Sequence, residues 1–144
     1  MNRKLTTILA GLSTAAAFAV NASDWLHGGT PSTGKACVSA VFIVLVSLLV
    51  YAWRKSSTAM CLLTVASAVL VIGAANGLLM TANVLPANSM LLPFTVFLVS
   101  FFGVTNFMAS TFAAMFLTTA VSVLWLCFAV GFWIDNRKSV NKTE

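Results

Sequence analysis

Residues 89–134 decide the fold: SMLLPFTVFLVSFFGVTNFMASTFAAMFLTTAVSVLWLCFAVGFWI, a run from Ser89 to Ile134 in which no side chain carries a charge. As one helix its 46 residues would extend about 69 Å at ~1.5 Å per residue. A bilayer's hydrocarbon core is only ~30 Å thick. The run therefore has to fold back on itself, and two membrane crossings with a turn between them are expected.

Composition points the same way. Sixty per cent of the 144 residues are hydrophobic, only 8% are charged, and the mean hydropathy is +0.98. Soluble domains carry about 25% charged residues. Lipid requires every backbone polar group to be satisfied inside a helix or a closed barrel. Barrel strands alternate apolar and polar positions, whereas Val41-Phe42-Ile43-Val44-Leu45-Val46 is unbroken. The expectation is an all-α, polytopic transmembrane bundle of about five helices: one amino-terminal helix followed by two helical hairpins. Apolar helices are placed at about 5–22, 37–53, 59–82, 89–106 and 111–134. A polar loop is placed at 23–36 and a polar tail at 135–144, all in a single membrane domain.

The first stretch follows a short basic head, Arg3-Lys4, and admits two readings. Val20-Asn21-Ala22 could be a signal cleavage site. Alternatively, Thr7, Gly11, Ala15, Ala19 and Ser23 recur every four residues and give a retained helix a small-residue face, which lets another helix approach closely. In the third helix Gly73 and Gly77 stand four apart, with Asn76 beside them. These are read as a close helix contact reinforced by an amide hydrogen bond, the sharper alternative being a pore-lining role for Asn76.

The turn inside the long run is located by comparing the chain with itself. Leu45-Val46-Ser47 and Ser57-Thr58 match Leu98-Val99-Ser100 and Ser110-Thr111 at a shift of 53. Leu63, Thr64, Ala66, Val69, Leu70, Ala75 and Gly77 then match residues from Leu117 to Gly131 at a shift of 54. As an internal duplication, this equates the Arg54–Thr58 turn with Phe107–Thr111 and places the hidden turn at about Asn106–Thr111. Two hairpins of two crossings each would then enter from the same side, a parallel repeat. With five crossings, Arg3, Lys4, Arg54 and Lys55 lie on one side and Lys35, Arg137, Lys138 and Lys142 on the other. Four against four gives no positive-inside preference, whereas a first stretch that neither crosses nor is removed would make the split six against two, with both termini inside.

Functionally, the spans are defined by what they lack. Asp24, Asp135 and Glu144 are the only acids, and none lies within an expected crossing. Proton relays and ion pathways use intramembrane ionisable groups, and acid–base catalysis needs titratable groups in a shared pocket. Asp24 and His27 stand three apart, but zinc needs three or four ligands and the chain has one histidine. Cys37, Cys61 and Cys127 are isolated and expected as buried free thiols. No Gly-x-x-x-x-Gly-Lys phosphate loop is present.

Size and span count invite comparison with small multidrug transporters, which normally rely on a carboxylate in their first helix; none is present at 5–22. Fluoride channels are comparable in size, but their Gly-rich and Phe/Thr/Ser signatures find no residue-by-residue match here. The sequence-level expectation is thus a membrane-embedded interaction, structural or assembly protein of the bacterial inner membrane, not an enzyme, with no cofactor, metal or nucleic acid. Its partners would be the lipid bilayer and another membrane protein or a second copy, with no soluble substrate. The alternative is a passive conduit, small-solute facilitator or holin-like pore former. The candidate packing or polar positions are Gly11, Ala15, Gly73, Asn76, Gly77 and Asn106.

Overall fold

The computed structural model describes residues 2–27, 29–82, 84, 99–108 and 110–140. Among these are four long helices, α1 (Arg3–His27), α2 (Thr33–Trp53), α3 (Ser57–Thr81) and α4 (Thr111–Val140), together with a 3-10 helix, Gly103–Phe107, entered through helical residues 99–102. No strand occurs among the described residues, and the architecture is an all-α bundle. Each long helix contains a segment long and apolar enough to cross a membrane. A 25-residue helix such as α1 or α3 is about 37 Å long, against a core of ~30 Å. Leu12, Leu62, Phe116 and Phe128 are more than half exposed on the bundle's outside. Such an outer face is suited to lipid, not to water.

Helix ends follow local chemistry. α1 continues beyond residue 22 because nothing from Ser23 to His27 breaks a helix. It ends where Gly29 N–H donates to Asp24 O at 2.8 Å, the long backbone bond of a glycine-type helix terminus. α2 begins two residues after Pro31. The polar stretch expected as a loop over 23–36 is thus largely helical, with described non-helical residues only at 29–32. Ser56 caps α3 by accepting from Ala59 N–H at 3.4 Å, and Ser110 does the same for Ala113 N–H at 3.1 Å ahead of α4. The 3-10 helix closes at Phe107 and α4 opens at Thr111. At the other end α4 runs to Val140, because Asp135-Asn136-Arg137-Lys138 contains no breaker and its basic residues suit a helix carboxyl end.

α1 packs along α2, α3 packs extensively along α4, and residues 103–107 lie against α2. The two units meet in one apolar cluster of Ala17, Phe42, Leu70, Phe101 and Trp125, one residue from each long helix plus Phe101. Phe42 and Phe101 are edge-to-face at 5.2 Å, and Trp125 stands 6.3 and 5.8 Å from them, separations at which ring quadrupoles attract. Trp125 Nε1 donates to Ser47 Oγ at 2.9 Å, fixing the ring's rotation.

Contacts between helix ends establish the topology. Trp53 Nε1 donates to Thr7 Oγ1, and Asn136 Nδ2 donates to Arg54 O at 2.7 Å. The start of α1, the α2–α3 turn and the end of α4 therefore share one rim. At the opposite rim, Lys35 pairs with Asp24, and Asn106 Nδ2 donates to Thr33 Oγ1. Ser100, at the depth of Thr14 halfway along α1, connects through Gly103 to Asn106 at that rim.

Among the described residues four helices are apolar enough to cross a membrane, and Arg3 and Arg137 share a rim. The helix expected at 89–106 falls mostly outside the described residues. One expectation is corrected: α3 and α4 are antiparallel, since Leu70 clusters with Trp125 and Ala74 with Met115, so the matched segments are inverted and not parallel.

Candidate functional site

Where α1, α2 and residues 99–107 converge, polar groups line up from mid-depth to the Asp24 rim. Ser100 Oγ lies 3.5 Å from Thr14 O. One step further, Asn21 is fully buried, and its Nδ2 donates to Ala17 O at 2.7 Å and to Ser39 Oγ at 3.0 Å. Its Oδ1 is also buried and accepts no hydrogen bond. Leaving a buried acceptor unmatched costs roughly 1–3 kcal/mol. Gly103 presses on the same spot: a Cβ there would lie 2.5 Å from Lys35 O and closer still to Ser39 Oγ. Only glycine permits this approach. The seam closes with the Lys35–Asp24 ion pair at 2.8 Å, whose side chains are 28% and 19% exposed, and with Asn106 on Thr33.

The residues singled out from sequence distribute differently. Gly73 and Gly77 are buried on α3 beside Ala74, which packs with Met115 of α4. Asn76 is half-buried, and its Oδ1 accepts no hydrogen bond. Gly11 and Ala15 are exposed, and a Cβ at Gly11 would meet nothing within 4 Å. Asn106 is exposed at the rim, and no hydrogen bond joins it to Asn76 among the described residues. Trp25 is turned inward, edge-on to Phe102 at 5.3 Å and against the Ala74–Met115 cluster. The thiols also differ from expectation: Cys37 and Cys127 are exposed and Cys61 is half-buried, because they sit on outward helix faces.

Asn21, Ser39 and Gly103 did not stand out in the sequence. Asn21 resembled part of a cleavage motif, and Gly103 has no small residue four positions away. The available signal was an amide and a hydroxyl inside otherwise apolar helices, which in lipid must find partners.

Beside this seam lies a cleft of about 280 Å³ between α1, α2 and α3, lined by Thr7, Gly11, Thr14, Leu49, Ser67 and Trp125 among others. It holds hydroxyls and apolar groups but no ionisable side chain. His27 Nδ1 is 2.7 Å from Ser23 O, and Asp24 is engaged by Lys35, so neither faces a shared cavity with the other. Among the described residues no three His, Cys, Asp or Glu side chains come together. Such an arrangement can bind apolar or hydrogen-bonding groups. Comparison of the chain with protein-family models, curated proteins and solved structures finds no match.

Proposed function

We propose that this membrane protein acts as a membrane-embedded interaction or assembly protein, without catalytic chemistry, in the bacterial plasma membrane. The observation that carries the reading is the uncovered small-residue face of α1. Gly11 and Ala15 are exposed, open space surrounds Gly11, and the adjoining cleft separates α1 from α3. In lipid, helices associate through close packing and not through a hydrophobic driving force, so a face of small residues is suited to a neighbouring helix backbone. The occupant is a transmembrane helix of a partner or of a second copy. Cysteine cross-linking from Gly11→Cys in native membranes tests this. A specific adduct lost in Ala15→Leu supports the reading, and a chain that remains monomeric and uncaptured removes it.

A second reading, a passive conduit for a small neutral solute, draws on the Asn21–Ser39 seam and its unmatched acceptor. Reconstituted liposomes that gain no permeability to water, urea or glycerol would eliminate it.

A further inference from the structure

We infer that the basic rim is a seat for anionic phospholipid headgroups and orients the protein with that rim in the cytoplasmic leaflet. Three separated chain segments bring Arg3, Lys4, Arg54, Lys55, Arg137 and Lys138 together there, with Asp135 the one acid beside them among the described residues. Among the described residues the opposite rim carries one lysine, Lys35, and it is already paired with Asp24 at 2.8 Å. The asymmetry rests on the contacts between helix ends, which put Arg137 and Lys138 beside Arg3 and Arg54.

The geometry of the arginines adds a second argument. Arg3 lies 5.4 Å from the Trp53 ring, Arg54 3.8 Å from Tyr51 and Arg137 4.6 Å from Trp133. Each ring covers one face of a guanidinium and holds it at the depth of an interfacial aromatic belt. No carboxylate forms a salt bridge with these three arginines among the described residues. Arg54 Nη1 donates to Tyr51 O at 3.0 Å, which leaves its other N–H groups, and the forks of Arg3 and Arg137, for phosphate oxygens, which they match in geometry. Asn136 on Arg54 O and Trp53 on Thr7 tie the three segments into one patch. A basic residue near an anionic leaflet contributes about 1 kcal/mol, roughly a fivefold bias per cation. Excess Lys and Arg flanking crossings also set cytoplasmic orientation.

Two measurements on the full chain test this. In a Cys37→Ser, Cys61→Ser, Cys127→Ser background, Lys4→Cys and Thr30→Cys probe the two rims with a membrane-impermeant maleimide on intact cells. Labelling of Thr30→Cys alone, with Lys4→Cys reacting only after permeabilisation, is expected; the reverse or equal labelling overturns the orientation. For the headgroup, tryptophan quenching by brominated phosphatidylglycerol is compared with quenching by brominated phosphatidylcholine in vesicles at low salt. Stronger quenching by the anionic lipid, reduced about twofold or more in Arg54→Gln/Lys55→Gln and retained in Arg54→Lys, supports the seat. Equal quenching by both lipids, or a preference that survives charge removal, overturns it. Neither outcome depends on whether a partner helix occupies α1.

Discussion

Replacing Gly103 with alanine tests whether residues 99–107 are held against α2 as tightly as the structure indicates. The new Cβ would stand 2.5 Å from Lys35 O and 2.9 Å from Lys35 C, and closer still to Ser39 Oγ. Real Cβ atoms essentially never come within 3.0 Å of another heavy atom, so a shift of at least about 0.5 Å is forced. Two of the obstructing atoms are backbone on a helix, and they cannot swing aside as the tip of a long side chain does. Overpacking of this kind costs about 1–3 kcal/mol. Displacing Ser39 also weakens its bond from Asn21, worth roughly 0.6–1.7 kcal/mol in a membrane interior. The combined loss is about 2–5 kcal/mol, a large part of the roughly 5–15 kcal/mol that holds a typical domain folded. Gly11→Ala is the internal control: open space surrounds that position, and alanine there should be neutral or stabilising by up to about 1 kcal/mol. Equilibrium unfolding in mixed micelles, followed by tryptophan fluorescence, measures both. If Gly103→Ala matches the wild type, or if Gly11→Ala is equally harmful, the close approach of Gly103 to α2 is wrong.

Three further outcomes follow from the same contacts. Asn21→Asp keeps the shape but removes the donor to Ala17 O and Ser39 Oγ, and a buried group without compensation should cost about 3–5 kcal/mol in the same titration. Trp125→Ala opens the cluster shared by all four helices and should cost about 3–5 kcal/mol, whereas Trp125→Phe loses chiefly the bond to Ser47 and should resemble Ser47→Ala. Because α1 supplies Ala17 and Asn21 to the interior and Asp24 to the Lys35 pair, the intact mass of membrane-purified protein should include residues 3–27.

The membrane class and helical character were legible because lipid leaves few alternatives to a long charge-free run. The placement of the helix ends was not. Hydropathy reports how apolar a segment is, but not which ends meet. Trp53 on Thr7 and Asn136 on Arg54 bring Arg3, Arg54 and Arg137 to one rim, and the division of cations between the two rims depends on that placement. The spacing argument was limited in a related way. Gly11-x-x-x-Ala15 and Gly73-x-x-x-Gly77 look equivalent in sequence, yet the second is buried within the chain and the first faces outward. Spacing identifies a face and says nothing of which helix it meets. Gly103, the glycine under the greatest steric demand, has no spacing partner, and only the approach of Lys35 and Ser39 reveals it.

These features also bear on how such a bundle could serve a partner. α3 and α4 are joined along their length, and α2 carries α1 on one side and residues 103–107 on another. α1 packs along α2 and is pinned to it at fixed polar points: Trp53 on Thr7, Asn21 on Ser39 and Lys35 on Asp24. Hydrogen bonds of this kind fix register but gain little from area, and in lipid the area itself gives no hydrophobic reward. A helix held in register at three depths, with its small-residue face uncovered, presents a partner with a surface already ordered before contact. The partner then bears less of the ordering cost that weakens association. Breaking one tie, as Thr7→Val does for Trp53, should therefore weaken capture at Gly11→Cys while leaving the fold intact. Undiminished capture in that variant would mean that the register of α1 is irrelevant to the partner, and the interaction reading would lose its structural basis.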